Sequence, residues 1–437
     1  MATSGARLLD GRVRKFSVGF GLSEPAQSAG GGPRSMPAID RRSLLLALGG
    51  AVAPRLALAE AGAMPLSAFG ARGDGASDDT LALMRALGSG TVLDGGGRTY
   101  NVDGPLLADG SFRGLANCTL RQTAAADRLR TLQIQGAHSF ALRNVGVIRG
   151  RQNDDALIQR DMQSNAGIWI ENASGFHLEG VKVRGGGIGT GLVIEQCQSF
   201  QAAGVQVSAI HYRLRQRPTD DMLQGIWINR STSFQLIGPV VSDLGGQDSQ
   251  GFSRDNNRAI AISGCSGFQV RGAQVSQCGQ GVDVTGQEGD HDFEITGAHA
   301  SDCYSWGIKL ANSAQRATVS RCLAERCGLG GFVVGGPTKP NNPLPQDIAF
   351  TDCQALDCGT PGWDHTMFGF GVLKARLRPD YPRKVHFVRC TAIDRRNPAG
   401  MRWGFFNEIE APADERSTVQ DCSVMGATVK DYRGFGR

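Results

Sequence analysis

The fold class predicted is all-β, a solenoid of short parallel coils, and three observations carry that reading. The first is one skeleton written three times: GIWIENASGFHLEGVKV at residues 167–183, GLVIEQCQSFQAAGVQV 24 positions later, and GIWINRSTSFQLIGPVV 34 positions after that. Each copy opens on glycine, flanks one outward position with two aliphatics, and puts phenylalanine nine and glycine thirteen residues after its start. The second is that the phenylalanine recurs at Phe140, Phe176, Phe200, Phe234 and Phe268, with Phe293 following after a three-residue insertion. The third is composition: 61 glycines with 41% hydrophobic and 7% aromatic residues suit many short strands joined by tight turns. No copy holds a helical period of twelve residues, and the repeat is too short for a four-stranded propeller blade. Coils of about three strands place like residues roughly 4.8 Å apart, so the phenylalanines are expected to stack inside as a ladder.

The elements follow in chain order. Residues 1–59 are read as an N-terminal extension ending in an export signal, and residues 60–437 as one β-helix domain. DRRSLLLALGGAVAPRLALAEA carries paired Arg41 and Arg42, an apolar stretch and a small-x-small end at Ala57-Leu58-Ala59; it resembles a twin-arginine signal peptide. The resemblance implies a twin-arginine translocase as partner during export and a periplasmic or secreted product. Arg55 interrupts a run already short for a bilayer, so no stable membrane anchor is expected. Next, Asp78 and Asp79 precede TLALMRAL, where acidic residues cap a short helix at the N-terminal end of the stack. In the later coils Cys322, Cys353, Cys390 and Cys422 fall in one column and Cys278, Cys303, Cys327 and Cys358 in a second. Column spacing and an odd total of eleven cysteines point to stacked core thiols rather than disulfides or zinc.

The charge argues against one class of partner. Residues 1–59 hold eight of the 46 Lys+Arg and three of the 41 Asp+Glu, leaving 38 of each in the body. A neutral body lacks the long-range field that draws proteins to nucleic acid, so none is expected.

FGARGDGASDDTLALMRAL at residues 69–87, followed by GTVLDGGGRTYNV, resembles the opening of the pectate-lyase-like superfamily of right-handed parallel β-helices. With the signal segment, the phenylalanine repeats also resemble twin-arginine-translocated repeat proteins of uncharacterised activity. The resemblance implies a single-stranded right-handed parallel β-helix with a short capping helix, and a carbohydrate theme, but no particular reaction. A polygalacturonase-like site would show Asn-x-Asp, paired Asp, Gly-His-Gly and Arg-x-Lys in order. Paired Asp occurs at 154–155 and 220–221, but Gly-His-Gly and Arg-x-Lys do not occur, which argues against that activity.

Two features locate a candidate site. Extra residues enter at one point of the repeat, at 148–166, 208–224 and 242–258, and carry His211, Tyr212, Asp220, Asp221 and Arg258 among many charges. Long loops on a rigid scaffold are often functional; a solvated fringe of charges is the alternative. Strand alternation then turns Trp169 and Glu171, Val193 and Glu195, Trp227 and Asn229, and Asp283 and Lys309 outward. Indoles suit the apolar face of a sugar and neighbouring carboxylates suit acid–base work, unless the loops fold down and bury both tryptophans. Glu171 and Glu195 are expected one coil apart at the centre of a groove walled by the loops, where two ionised carboxylates repel. One of them would then hold its proton late or share a cation.

Catalytic candidates are therefore Glu171, Glu195, Asp220, Asp221, His211 and Tyr212, with Trp169, Trp227, Asn229, Arg258, Asp283 and Lys309 as substrate contacts. No cofactor is assigned; calcium between the carboxylates is the one left open. The partner expected is a polysaccharide or oligosaccharide. Two functions stay open: an exported lyase, epimerase or glycoside hydrolase, and a glycan-binding or envelope-structural β-helix without catalysis.

Overall fold

The computed structural model describes residues 62–123, 130–150, 165–186, 189–212, 223–246, 257–286, 289–336, 342–361, 367–374 and 381–435. Over them the regular structure is strand, apart from one α-helix at Thr80–Leu87 and two short 3-10 turns at Leu66–Phe69 and Ala413–Glu415. Every strand pairs in parallel with its equivalent in the next coil. Ala166–Glu171 pairs with Thr190–Glu195, that strand with Gln224–Asn229, and that with Arg258–Ser263. Twelve such strands, from Leu106–Ala108 to Lys430–Arg433, form one sheet. The other two strands of a coil, for example Gln198–Ala203 and Gln206–Tyr212, belong to a second sheet of 23 strands. No helix among the described residues is long and apolar enough to cross a membrane.

The register is that of the repeat. Phe200 lies opposite Phe234, and Phe268 opposite Phe293. From Phe140 through Phe176, Phe200, Phe234 and Phe268 to Phe293 the buried rings stack at 4.7–5.0 Å with planes within 10°. The ladder then changes column. Phe293 is followed by Ala317, Ile348 and Val385. Ile308 meanwhile gives way to Phe332, Phe370 and Phe405, and Val319 to Phe350 and Phe387. A close-packed interior of constant cross-section requires this exchange, since volume removed from one column must be refilled in another.

Both glycines of the skeleton have a physical reason. At the opening position, a Cβ on Gly225 would sit 2.4 Å from Val241 Cγ1 and 2.5 Å from the Ala259 carbonyl, because two strands of the coil converge there. The thirteenth-residue glycines Gly180, Gly204, Gly238, Gly272 and Gly297 turn the chain with φ of 56–62°. Later coils hold Arg321, Asp352, Arg389 and Asp421 in that left-handed conformation. Arg389 offsets part of the cost through a bidentate pair with Asp352 at 2.7 and 2.9 Å.

All eleven cysteines are free, and ten are buried. Thiols of the two columns donate to carbonyls of the preceding coil, as Cys353 Sγ does to Val319 at 3.5 Å and Cys358 Sγ to Ala324 at 3.5 Å. Burial pushes Cys197 and Cys278 up to about 12, so these thiols stay protonated. At the N-terminal end, the helix turns Ala82, Leu83, Ala86 and Leu87 into the core. The two aspartates before it divide the work rather than both capping. Asp78 Oδ1 accepts the Thr80 amide at 3.0 Å, whereas Asp79 accepts the amides of Arg72 and Gly73 and ties down the incoming loop.

Candidate functional site

In the twelve-strand sheet the side chains outside the core come from the first, fourth and sixth residues of each strand. They form three stretches along the axis. In the first, Ala166, Trp169 and Val193 cluster apart from the core with Trp227 against them. The indoles meet edge to face at 6.4 Å, and the Arg130 guanidinium lies 3.7 Å over the Trp169 ring centroid. Trp169 is only 5% exposed. The expectation that it offers its face to a ligand is thereby corrected: a cation already occupies that face. Trp227 keeps part of its surface.

The middle stretch is charged. Arg258 Nε lies 2.6 Å from Asp283 Oδ2, although not aligned as a hydrogen bond, and Lys309 Nζ lies 3.6 Å from Asp283 Oδ1. The Thr285 hydroxyl donates to the same oxygen, and Lys309 donates to Gln280 Oε1 at 3.3 Å. The Asp283 side chain is 0% exposed, against 13% for Arg258 and 21% for Lys309. Asp283 is therefore not the open ligand contact expected, but the counter-charge beneath two cations that reach solvent. Burial works to raise its carboxyl pKa, and the charges of Arg258 and Lys309 with the Thr285 bond outweigh it, leaving Asp283 below its ordinary value. Burial, then the neighbouring Arg258, holds the Lys309 amine below its ordinary value against the pull of Asp283.

The sixth residues form a half-buried polar row. Glu171, Glu195, Asn229 and Ser263 lie in register, with Thr285 in the next coil. The glutamates are neighbours, as the repeat requires, and each has a partner: Arg130 3.8 Å from Glu171, and the Asn229 amide donating to Glu195 Oε1 at 2.8 Å.

Their place relative to the insertions differs from expectation. The insertions follow Ala141–Arg149, Gln206–Tyr212 and Val240–Gly246 and lead to the first residue of the next strand of the twelve-strand sheet. Glu171 and Glu195 end theirs, five residues and roughly 16 Å further along. What adjoins the insertions is the first-position column of Thr190, Gln224, Arg258 and Gln280. Buried there without a hydrogen-bond partner among the described residues are Thr190 Oγ1, Gln224 Oε1 and both polar side-chain atoms of Asn257. His211 sits on that edge, half exposed and 3.0 Å from Asp243. Tyr212 lies in the strand opposite Gly246, and Asp220 and Asp221 fall outside the described residues.

The third stretch escaped the sequence reading. Trp306, Val333, Phe368, Leu373, Trp403 and Phe406 form a second apolar cluster outside the core. Counting first and fourth positions onward from Lys309 would have found Trp306, Phe368, Trp403 and Phe406, because the register continues unbroken.

No group of three His, Cys, Asp or Glu side chains among the described residues is placed to hold a metal ion. Asp283, the fully buried carboxylate of the face, is engaged by two cations.

The chain folds as a right-handed parallel β-helix. The family description "Right handed beta helix region" matches residues 166–341. Among solved structures, the A-module of a mannuronan C-5 epimerase from Azotobacter vinelandii superposes with TM-score 0.59 at 12% identity, covering 85% of this chain and 98% of that one. The tailspike of E. coli bacteriophage HK620, solved with a pentasaccharide, gives 0.56 at 12% identity over 84% of this chain and 67% of its own. The Dettilon tailspike gives 0.53 at 12% identity, over 83% and 68%. No curated protein sequence matches significantly.

Proposed function

We propose that the protein acts on a uronate-containing polysaccharide lying along the outward face of the twelve-strand sheet, as a lyase or epimerase that removes the proton from C5. The observation that carries this reading is the Arg258–Asp283–Lys309 cluster, three charges gathered on a face the core does not need. Burying charge is costly, and such clusters concentrate at functional sites. An in-register polar row beside it, one group per coil, suits an extended polymer parallel to the axis. That a mannuronan epimerase module and a tailspike solved with a pentasaccharide share the fold supports a glycan as partner.

In this reading Arg258 pairs with the uronate carboxylate and makes C5–H more acidic. Burial lowers the proton affinity of Lys309, and in its deprotonated form its amine accepts the C5 proton while the electron pair of the broken C–H bond moves into the carboxylate as an enediolate facing Arg258. Return of a proton to the opposite face gives the epimer. Collapse of the enediolate with cleavage of the C4–O bond, the leaving oxygen taking the proton now on Lys309, gives an unsaturated product and an alcohol. We also propose export through the twin-arginine route, which puts the protein where such polymers occur.

The test incubates the protein with uronate-containing and neutral polysaccharides and follows unsaturated ends, deuterium incorporation at C5 and reducing ends separately. Lys309→Met and Arg258→Met are expected to lower turnover by about 100-fold or more with the β-sheet circular dichroism retained, and with a lower melting temperature because Asp283 loses one of its two counter-charges. Reducing ends alone would shift the assignment to hydrolysis by Glu171 and Glu195. Full turnover in both variants, or preference for neutral polymers, would overturn the proposal.

A further inference from the structure

The third stretch of the same face is built in a way that packing alone does not require. Along the first-position column Trp306 is followed by Gly330, Phe368 and Trp403. A Cβ on Gly330 would lie 3.0 Å from the Phe368 ring, and one on Gly371 would lie 2.3 Å from it. The two glycines thus clear a bed in which Phe368 lies flat between Trp306 and Phe406. Its ring centroid is 5.4 Å from Trp306 and 5.9 Å from Phe406, with interplanar angles of 17° and 2°. At the far end the Arg433 guanidinium stands 5.1 Å from the Trp403 centroid and 5.2 Å from that of Phe406. At the near end Lys309 shares a strand with Trp306. The aromatic part spans three coil steps, roughly 14 Å, and is bracketed by two cations. Trp306 and Leu373 keep part of their surface, and Arg433 is exposed.

We propose that this shelf is a second binding stretch for the same acidic glycan, with a sugar ring resting on Trp306 and further carboxylates drawn to Arg433. The inference rests on the reading of the charged centre as the uronate site. Three observations select this occupant. The shelf continues the charged stretch on the same sheet face, its cations match an acidic chain, and the partly exposed Trp306 indole, backed by the buried Phe368, Trp403 and Phe406 rings, suits the apolar face of a pyranose.

Size-graded oligogalacturonates and oligomannuronates titrated calorimetrically into the protein test it. Trp306→Ala and Arg433→Gln are each expected to weaken the longer oligomers about tenfold and to leave the shortest bound oligomer unchanged. The Arg433→Gln effect is expected to shrink as salt is raised. Trp306→Phe, which keeps an aromatic surface, should recover most of the loss and separates a folding defect from a lost contact. Equal affinity of wild type and both variants at every length would overturn the shelf while leaving the charged centre standing. Absence of any binding by the wild type would overturn both. Self-association abolished by Trp306→Ala would reassign the shelf to a second copy.

Discussion

Asp290 shows how one side chain serves the backbone of a neighbouring coil. At one corner of successive coils the Cys197 amide donates to Ser231 Oγ at 3.1 Å, the Ser231 amide to Cys265 Sγ at 3.4 Å, and the Cys265 amide to Asp290 Oδ1 at 2.8 Å. A carboxylate has thus taken a place held elsewhere by Ser and Cys. Its Oδ2 is buried without a hydrogen-bond partner among the described residues, and burial pushes the group up to about 7 from an ordinary 3.8. The folded state therefore holds the proton more tightly than the unfolded chain. The resulting stabilisation is complete below about pH 4 and is lost as pH rises through about 7. Asp283 has the opposite sign: its pKa is lowered, so its contribution is present above 3.8 and is lost only as pH falls below that value. Replacing Asp290 with Asn keeps an acceptor for Cys265 and removes the ionisation. Urea unfolding between pH 4 and 8 should show this variant flattening the decline, with a gain on the order of 2–4 kcal/mol at pH 8. Parallel pH profiles for the two proteins would refute the assignment.

At the scale of the element, a coil is held by what lies above and below it. A ring in mid-ladder such as Phe234 touches Phe200 at 4.8 Å and Phe268 at 5.0 Å, both nearly coplanar with it. Phe234→Ala is expected to cost about 3–5 kcal/mol, because rigid coils on both sides cannot collapse into the gap. Phe234→Leu should cost roughly half as much, and urea midpoints decide both. A loss below about 1 kcal/mol for the alanine variant would mean that the ladder is not close-packed. Phe200, Phe234 and their equivalents were legible in the sequence, since a solenoid repeats its contacts at fixed spacing. The transfer of aromatic volume to Phe332, Phe370 and Phe405 was not, because it compensates between columns on different strands of a coil, and the repeat pattern follows each column separately.

For the molecule as a whole, the neutral body is the part expected to work outside the cytoplasm. Amino-terminal sequencing of exported protein should find the chain beginning near Glu60, after the small-x-small site at Ala57–Ala59. A product retaining Arg41 and Arg42 would sink the export proposal. The outward face of the twelve-strand sheet divides into an indole cluster, a charged centre and an aromatic shelf, and the two proposed binding stretches are consecutive along one axis. A polymer that engages both should show affinity rising with length until the shelf is filled.

By itself the sequence determined the coil, its register and its interior, because each repeat meets its copy at constant spacing and burial selects the same residue types every time. It also placed Glu171 beside Glu195 and turned Asp283 and Lys309 out of the core, since strand alternation is a local property. Tertiary structure alone decided what those outward residues do. Asp283 became a fully buried counter-charge because Arg258 and Lys309 arrive from the coils on either side. Trp169 lost its open face to Arg130, and Glu171 and Glu195 came to lie at the end of their strands away from the insertions. Such pairings depend on distances across coils between side chains of unlike type, which a repeat, defined by likeness along the chain, does not encode.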